Sequence, residues 1–348
     1  MPKRPFKWPF KEKEPPRDPA TEEALRRIVE AQKIGARKLN LSTLQLSTLP
    51  ETIGQLSQLR ELNLSRNQLS TLPEAIGQLS RLQFLHLNKN QLSALPEAIG
   101  QLSQLQGLYV SNNELSTLPE AIGQLFQLQE LDLSENQLSA LPEAISQLFQ
   151  LQVLYLHGNQ LRALLEAIGQ LSWLQGLSLN SNQLKTLPEA IGQLSRLQGL
   201  NLSRNQLSAL PEAIGQLSQL EELDLSGNQL STLPETLQNL ESLEKLFLHG
   251  NPGLDLPDEV LGPMINEVFD LGRSAKPPRE ILDYYFATRG AKGRALREVK
   301  LIVVGRGGAG KTSLIKRLKG EPFDRQAFFI TSEGRSMSTF KSRSAASN

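Results

Sequence analysis

The 348-residue chain has no cysteine, three histidines and a net charge of +1. That composition excludes disulfides, thiolate metal sites and a cysteine nucleophile, and no apolar run reaches the roughly 20 residues of a membrane span. The near-neutral sum conceals a split: residues 271–348 carry 17 Lys/Arg and 6 Asp/Glu, a net of +11, so the remainder carries −10. A basic end of this kind marks either a phosphate-bearing partner or one part of a larger domain with its acidic parts elsewhere.

In chain order, residues 1–20 are rich in proline and Lys/Arg and lack the apolar stretch of a signal peptide. They are expected to be a solvated, disordered tail, and the chain to be cytoplasmic. Residues 21–38 read as a capped amphipathic helix, with Ala24, Leu25, Ile28 and Val29 on the apolar side. It is expected to cover the open end of the core that follows.

Residues 39–262 are periodic. Asparagine falls at 67, 90, 113, 136, 159, 182, 205, 228 and 251, always 23 residues apart. Leucine pairs march with it, such as Leu62 and Leu64, and so does a Leu-Pro step such as Leu72-Pro73. The unit reads L-x-x-L-x-L-x-x-N-x-L over 59–69 and resembles the leucine-rich repeat. Leu62 and Leu64 alternate with Glu61, Asn63 and Ser65, so a short strand turns its leucines inward. The asparagine amide both donates and accepts and suits a buried turn between coils. Pro50, Ile53, Gly54, Leu56 and Leu59 carry the chain back along the convex side. A lone unit cannot bury its own face, so the coils must stack. The expected fold class is α/β: about ten coils forming a solenoid with one parallel sheet on its concave face. Leu165 stands in place of proline in one coil and Ser146 in place of glycine in another. Phe126, Phe149 and Trp173 lie on the return segment and are expected to fill gaps between coils.

Residues 263–297 read as a cap and linker helix. Pro277-Pro278 starts the helix, and Ile281, Leu282, Tyr284, Tyr285 and Phe286 are its packing residues. Residues 299–304 (VKLIVV) read as a buried strand running into Gly305-Arg306-Gly307-Gly308-Ala309-Gly310-Lys311-Thr312, with helix-forming Leu314, Ile315 and Leu318 after Ser313. This is G-x-x-x-x-G-K-[ST] in a strand–loop–helix setting. Its backbone N–H groups and helix N-terminus suit a nucleotide phosphate. Lys311 is placed for the β- and γ-phosphates and Thr312 for magnesium. No D-x-x-G or N-K-x-D follows Lys311, and 331–348 holds six serines and few aliphatic side chains. The segment 298–330 is therefore expected to be an incomplete nucleotide domain, without turnover of its own, and 331–348 a disordered tail.

Repeats, then PPREILDYY at 277–285, LREVKLIVVG at 296–305 and the phosphate loop together resemble the Roco proteins. In that family a Ras-like GTPase domain, Roc, follows the repeats, and a dimerising domain, COR, follows Roc. The resemblance implies GTP and magnesium as ligands of residues 305–313, magnesium falling to Thr312, and a signalling or regulatory role. It fades after GEPFD at 320–324, and neither COR nor the kinase domain of some members has a counterpart here.

The repeats can also be compared with one another. Convex columns hardly change, whereas the outward strand columns do. One reads Asn63, His86, Tyr109, Asp132, Tyr155, Ser178, Asn201, Asp224, Phe247; the column two residues before it holds Phe84, Glu130, Val153 and the glycines 107, 176 and 199. His86, His157 and His249 all fall in outward columns. Phe84, His86, Tyr109, Val153, Tyr155 and His157, set around Glu130 and Asp132, are the candidate contacts for a protein ligand, since aromatic residues anchor interfaces. No nucleic-acid-reading motif is present, so a specific nucleic-acid partner is not expected.

Overall fold

The computed structural model describes residues 18–289 and two short strands, 298–299 and 340–341. Helix α1 (Pro19–Ile34) opens the fold. Sequence reading started this helix at Thr21. The structure starts it earlier, because the Asp18 carboxylate accepts the Thr21 N–H at 2.8 Å and Pro19 occupies the first turn. Gly35, at φ 60, closes it by bonding back to Ala31 and Gln32. Ala24, Ile28 and Ala31 are buried against the first coil, while Val29 points to solvent.

Ten three-residue strands follow: β1 (Lys38–Asn40), β2 (Glu61–Asn63), β3 (Phe84–His86), β4 (Gly107–Tyr109), β5 (Glu130–Asp132), β6 (Val153–Tyr155), β7 (Gly176–Ser178), β8 (Gly199–Asn201), β9 (Glu222–Asp224) and β10 (Lys245–Phe247). They form one parallel sheet in strict sequence order. Each central leucine pairs with its counterpart in the next coil, Leu62 with Leu85 and Leu108 with Leu131. The core is a stack of leucines; Leu62, Leu85, Leu131 and Leu223 are all fully buried.

The return segments are five-residue 3-10 turns, such as Glu74–Gln78, entered from the Leu-Pro step in every coil but that of Leu165. Proline presets the extended entry and caps a turn that needs no N–H there. The glycine of the turn permits close stacking: a Cβ added at Gly77 would lie 2.7 Å from the Ala98 carbonyl oxygen. Ser146 occupies that position in the fifth turn, its hydroxyl donating to the Glu143 carbonyl at 2.7 Å. Ala167 in the next turn is half-exposed, whereas Ala144 and Ala190 are buried. The extra hydroxymethyl holds the two turns apart.

Leu165 adopts φ −70 and ψ 147, within the range of the prolines it replaces. Leu165→Pro is therefore expected to stabilise the solenoid by about 0.4–1 kcal/mol, through lost freedom of the unfolded chain. A urea titration checks it; destabilisation would show that the site does not accept the ring.

Phe126, Phe149 and Trp173 were expected inside. They are 53%, 53% and 47% exposed. The bend after each 3-10 turn directs these positions outward, and the gaps between coils are already filled by leucine. The Arg196 guanidinium lies 3.7 Å from the centre of the Trp173 ring, which shields one of its faces.

The last coil is closed by α2 (Asp258–Leu261), α3 (Ile265–Phe269) and α4 (Pro278–Arg289). In α4, Ile281, Leu282 and Tyr285 are buried, and the Tyr285 hydroxyl accepts the Leu233 N–H at 2.9 Å. The predicted linker helix thus packs on the repeats. Tyr284, expected to join that packing, is exposed. It lies about 100° around the helix from Tyr285, at the margin of the buried stripe of 281, 282 and 285.

The structure divides into two compact units, residues 1–286 and 287–348. In the second, β11 (Glu298–Val299) and β12 (Phe340–Lys341) pair antiparallel. The phosphate-loop residues Gly305, Arg306, Gly307, Gly308, Ala309, Gly310, Lys311, Thr312 and Ser313 lie outside the described residues. No helix among the described residues is long and apolar enough to cross a membrane.

Candidate functional site

The concave sheet gathers the variable columns on one surface. Parallel register puts His86 beside Tyr109, Tyr109 beside Asp132 and Asp132 beside Tyr155. The first cluster forms around Gly107, where a Cβ would come within 2.9 Å of both Phe84 and Tyr109. Without that Cβ, the two rings close over β4 and bury the glycine. The His86 and Tyr109 rings stack, centroids 4.7 Å apart and planes within 4°. The Tyr109 hydroxyl donates to Glu130 Oε2 at 2.5 Å.

Burial and this bond to Glu130 raise the Tyr109 phenol above its ordinary range. Burial also lowers the His86 imidazole, against a smaller opposing pull from Glu61. Both rings are thus neutral at pH 7. They form a locked apolar platform with a carboxylate at one edge.

The second cluster lies two strands on. Tyr155 is 42% exposed and meets His157 edge-on at 6.4 Å. Val153, half-buried, precedes it on β6. The acids between the clusters are partly engaged. Glu130 accepts from Tyr109, and Asp132 Oδ1 accepts the Ser134 N–H at 3.0 Å and its hydroxyl at 2.6 Å. Asp132 therefore holds the strand end as much as it faces solvent.

The structure corrects the outward reading at one end. Phe247 and His249 sit in outward columns but are buried. Phe269 of α3 packs 6.5 Å from Phe247, and His249 Nε2 lies 3.0 Å from the Gly262 carbonyl oxygen. The closing segment folds over the concave side of β10, so the open surface stops there. Sequence reading also missed a recess of about 450 Å³ between Tyr155 and Lys245, lined by Gly176 and Gly199. Its signal was present as two successive glycines in their strand column, where Gly107 stands alone between residues with side chains.

A family model described as a leucine-rich repeat region matches residues 36–116, 99–178 and 159–255. The chain belongs to the leucine-rich repeat family. Among solved structures, this leucine-rich repeat chain is similar to the leucine-rich repeat domain of the type III effector XopL. The identity is 30%, over 66% of this chain and 82% of that one, with a TM-score of 0.61. It is also similar to the ectodomain of the receptor kinase GASSHO1/SCHENGEN3 from Arabidopsis thaliana, solved with Casparian strip integrity factor 2. There the identity is 34%, over 62% of this chain and 27% of that one, with a TM-score of 0.57. The TLR13–ssRNA13 complex matches at 28% identity, over 64% of this chain and 34% of that one, with a TM-score of 0.58. The chain spans less than half the length of these two receptors. No curated protein sequence matches the chain. The family match ends at residue 255, so the phosphate-loop motif lies beyond it.

Proposed function

We propose that this leucine-rich repeat protein is a protein-binding scaffold whose ligand docks on the concave face across β3–β7. The observation that carries the reading is the packed Phe84, His86 and Tyr109 platform around Gly107, followed by exposed Tyr155. Rings already fixed by stacking lose little freedom on binding, which favours them as anchors. The same reading makes Val153, His157, Glu130 and Asp132 secondary contacts. The partner in the GASSHO1/SCHENGEN3 complex supports a protein ligand by analogy. A cytoplasmic location belongs to this reading and rests on the cysteine-free composition.

The test is a display library of linear peptides enriched on the full chain. Tyr109→Ala combined with Tyr155→Ala is expected to weaken the enriched ligands by at least about 2 kcal/mol. Equal binding by the double variant and the parent would refute the concave reading.

A second element of the proposal rests on the motif at 305–312. Read as a Roco-type phosphate loop, it binds the phosphates of GTP through Gly305, Gly310 and Lys311, with magnesium on Thr312. For residues 1–348 the affinity is expected to be weak, because no guanine-reading N-K-x-D and no D-x-x-G lies within 311–348. A titration with GTP and Mg²⁺ should show weak binding that Lys311→Ala removes. Binding indifferent to Lys311→Ala would leave the protein a scaffold with a phosphate-loop remnant.

A further inference from the structure

The recess between Tyr155 and Lys245 is built by omission. Its floor is Gly176 and Gly199, and neither glycine has a positive φ that would require it. A Cβ at Gly199 would meet nothing within 4 Å, and one at Gly176 would meet only Val153, at 3.6 Å. Gly107 in the same column is covered by rings; these two are not. The fold therefore gains nothing from glycine here, and a strand glycine costs stability relative to other residues. What the pair provides is open space on the binding face.

The walls differ in chemistry. The Tyr155 ring stands on one side, and Glu221, Glu222 and Glu244 line the other. Glu222 is paired with Lys245 at 3.3 Å. Glu221 and Glu244 have no ion-pair partner among the described residues. They precede β9 and β10 at equivalent positions, so their backbones stand about 4.8 Å apart. Two like charges on adjacent strands repel, and a cation between them removes that repulsion. A planar guanidinium bridges two carboxylates, which an ammonium does less well.

We infer that this recess receives an arginine side chain from an extended segment of the protein partner. Its stem lies over Gly199 and its guanidinium sits between Glu221 and Glu244, while the neighbouring backbone of the partner passes over Gly176 beside Tyr155. The inference rests on the concave face being the docking surface. It also sets the class of partner: a polypeptide with an exposed arginine, not a polyanion, which these carboxylates repel.

The probe is the peptide acetyl-Gly-Gly-Arg-Gly-Gly-amide, titrated into the full chain at low ionic strength. The citrulline peptide, equal in shape but neutral, is the comparison. The arginine peptide is expected to bind at least tenfold more tightly than the citrulline peptide. Glu221→Gln with Glu244→Gln is expected to erase that preference. Gly199→Leu, whose Cβ would meet nothing within 4 Å, is expected to fill the floor and abolish binding with no loss of melting temperature. Absence of measurable binding, equal binding of the two peptides, retention by Gly199→Leu, or preferential binding of a uridine oligonucleotide would each overturn the inference. Tyr109→Ala separates this from the wider reading, because Tyr109 does not line the recess. If library-selected ligands respond to Tyr109→Ala but not to Gly199→Leu, the arginine site alone is wrong. If they respond to neither, the concave docking surface is wrong as well.

Discussion

Leu131→Ala is expected to lower the unfolding free energy of residues 18–289 by about 2–5 kcal/mol. Leu131 is fully buried at the centre of β5, between Leu108 and Leu154 of the neighbouring strands. Its coils are held by register on both sides, so they cannot close over the cavity without shifting the strands next to them. The loss should also reduce cooperativity, because each coil is stabilised by its neighbours and a weak coil in mid-array divides the stack. Urea unfolding followed by circular dichroism measures both the midpoint and the slope. A change below about 1 kcal/mol would mean that the leucine stack is less tightly packed than described.

Asn136→Ala is also expected to destabilise the fold, for a polar reason. The buried Asn136 accepts the Leu115 N–H at 2.9 Å. Its amide also donates to Val110 at 3.0 Å and to Leu133 and Ser134 at 3.1 Å. Alanine would leave the buried Leu115 N–H without a partner, at a cost of roughly 1–3 kcal/mol, whereas the Val110, Leu133 and Ser134 carbonyls keep a second donor in Asn113, Asn159 and Asn112. A total of roughly 1–3 kcal/mol is therefore expected, overlapping the lower part of the range for the leucine truncation. Asn136→Asp keeps the acceptor, loses the donors and sets a carboxylate against three carbonyls. It should be worse than alanine at neutral pH. Equal stability of parent and Asn136→Ala would contradict the role given to the whole asparagine column.

That column was legible because its chemistry is strict. Only an amide both donates and accepts at that turn, and the 23-residue spacing exposed it without any second sequence. The strand register followed for the same reason. The residue before each asparagine was not legible. Arg66, Lys89, Asn112, Glu135, Ser181 and Arg204 all hold φ between 53 and 60, yet only at 158, 227 and 250 does glycine announce this left-handed turn. Stacking imposes the conformation on side chains that locally disfavour it. Burial of Phe247 and His249 depended on the closing helices, which no repeat pattern describes. The exposure of Phe126, Phe149 and Trp173 followed from the direction of a bend, not from hydrophobicity. The candidate platform was legible as a set of variable residues. Its closure over Gly107, and the empty floor at Gly176 and Gly199, needed coordinates.

The proposed recognition surface is the concave face. Both faces carry exposed rings, so ring chemical shifts separate them. Residues 18–289, labelled on aromatic carbons, are titrated with a library-selected ligand. The account predicts shifts at His86, Tyr109, Tyr155 and His157, with Phe126, Phe149 and Trp173 unmoved. Shifts confined to Phe126, Phe149 and Trp173, with the concave rings unmoved, would contradict it.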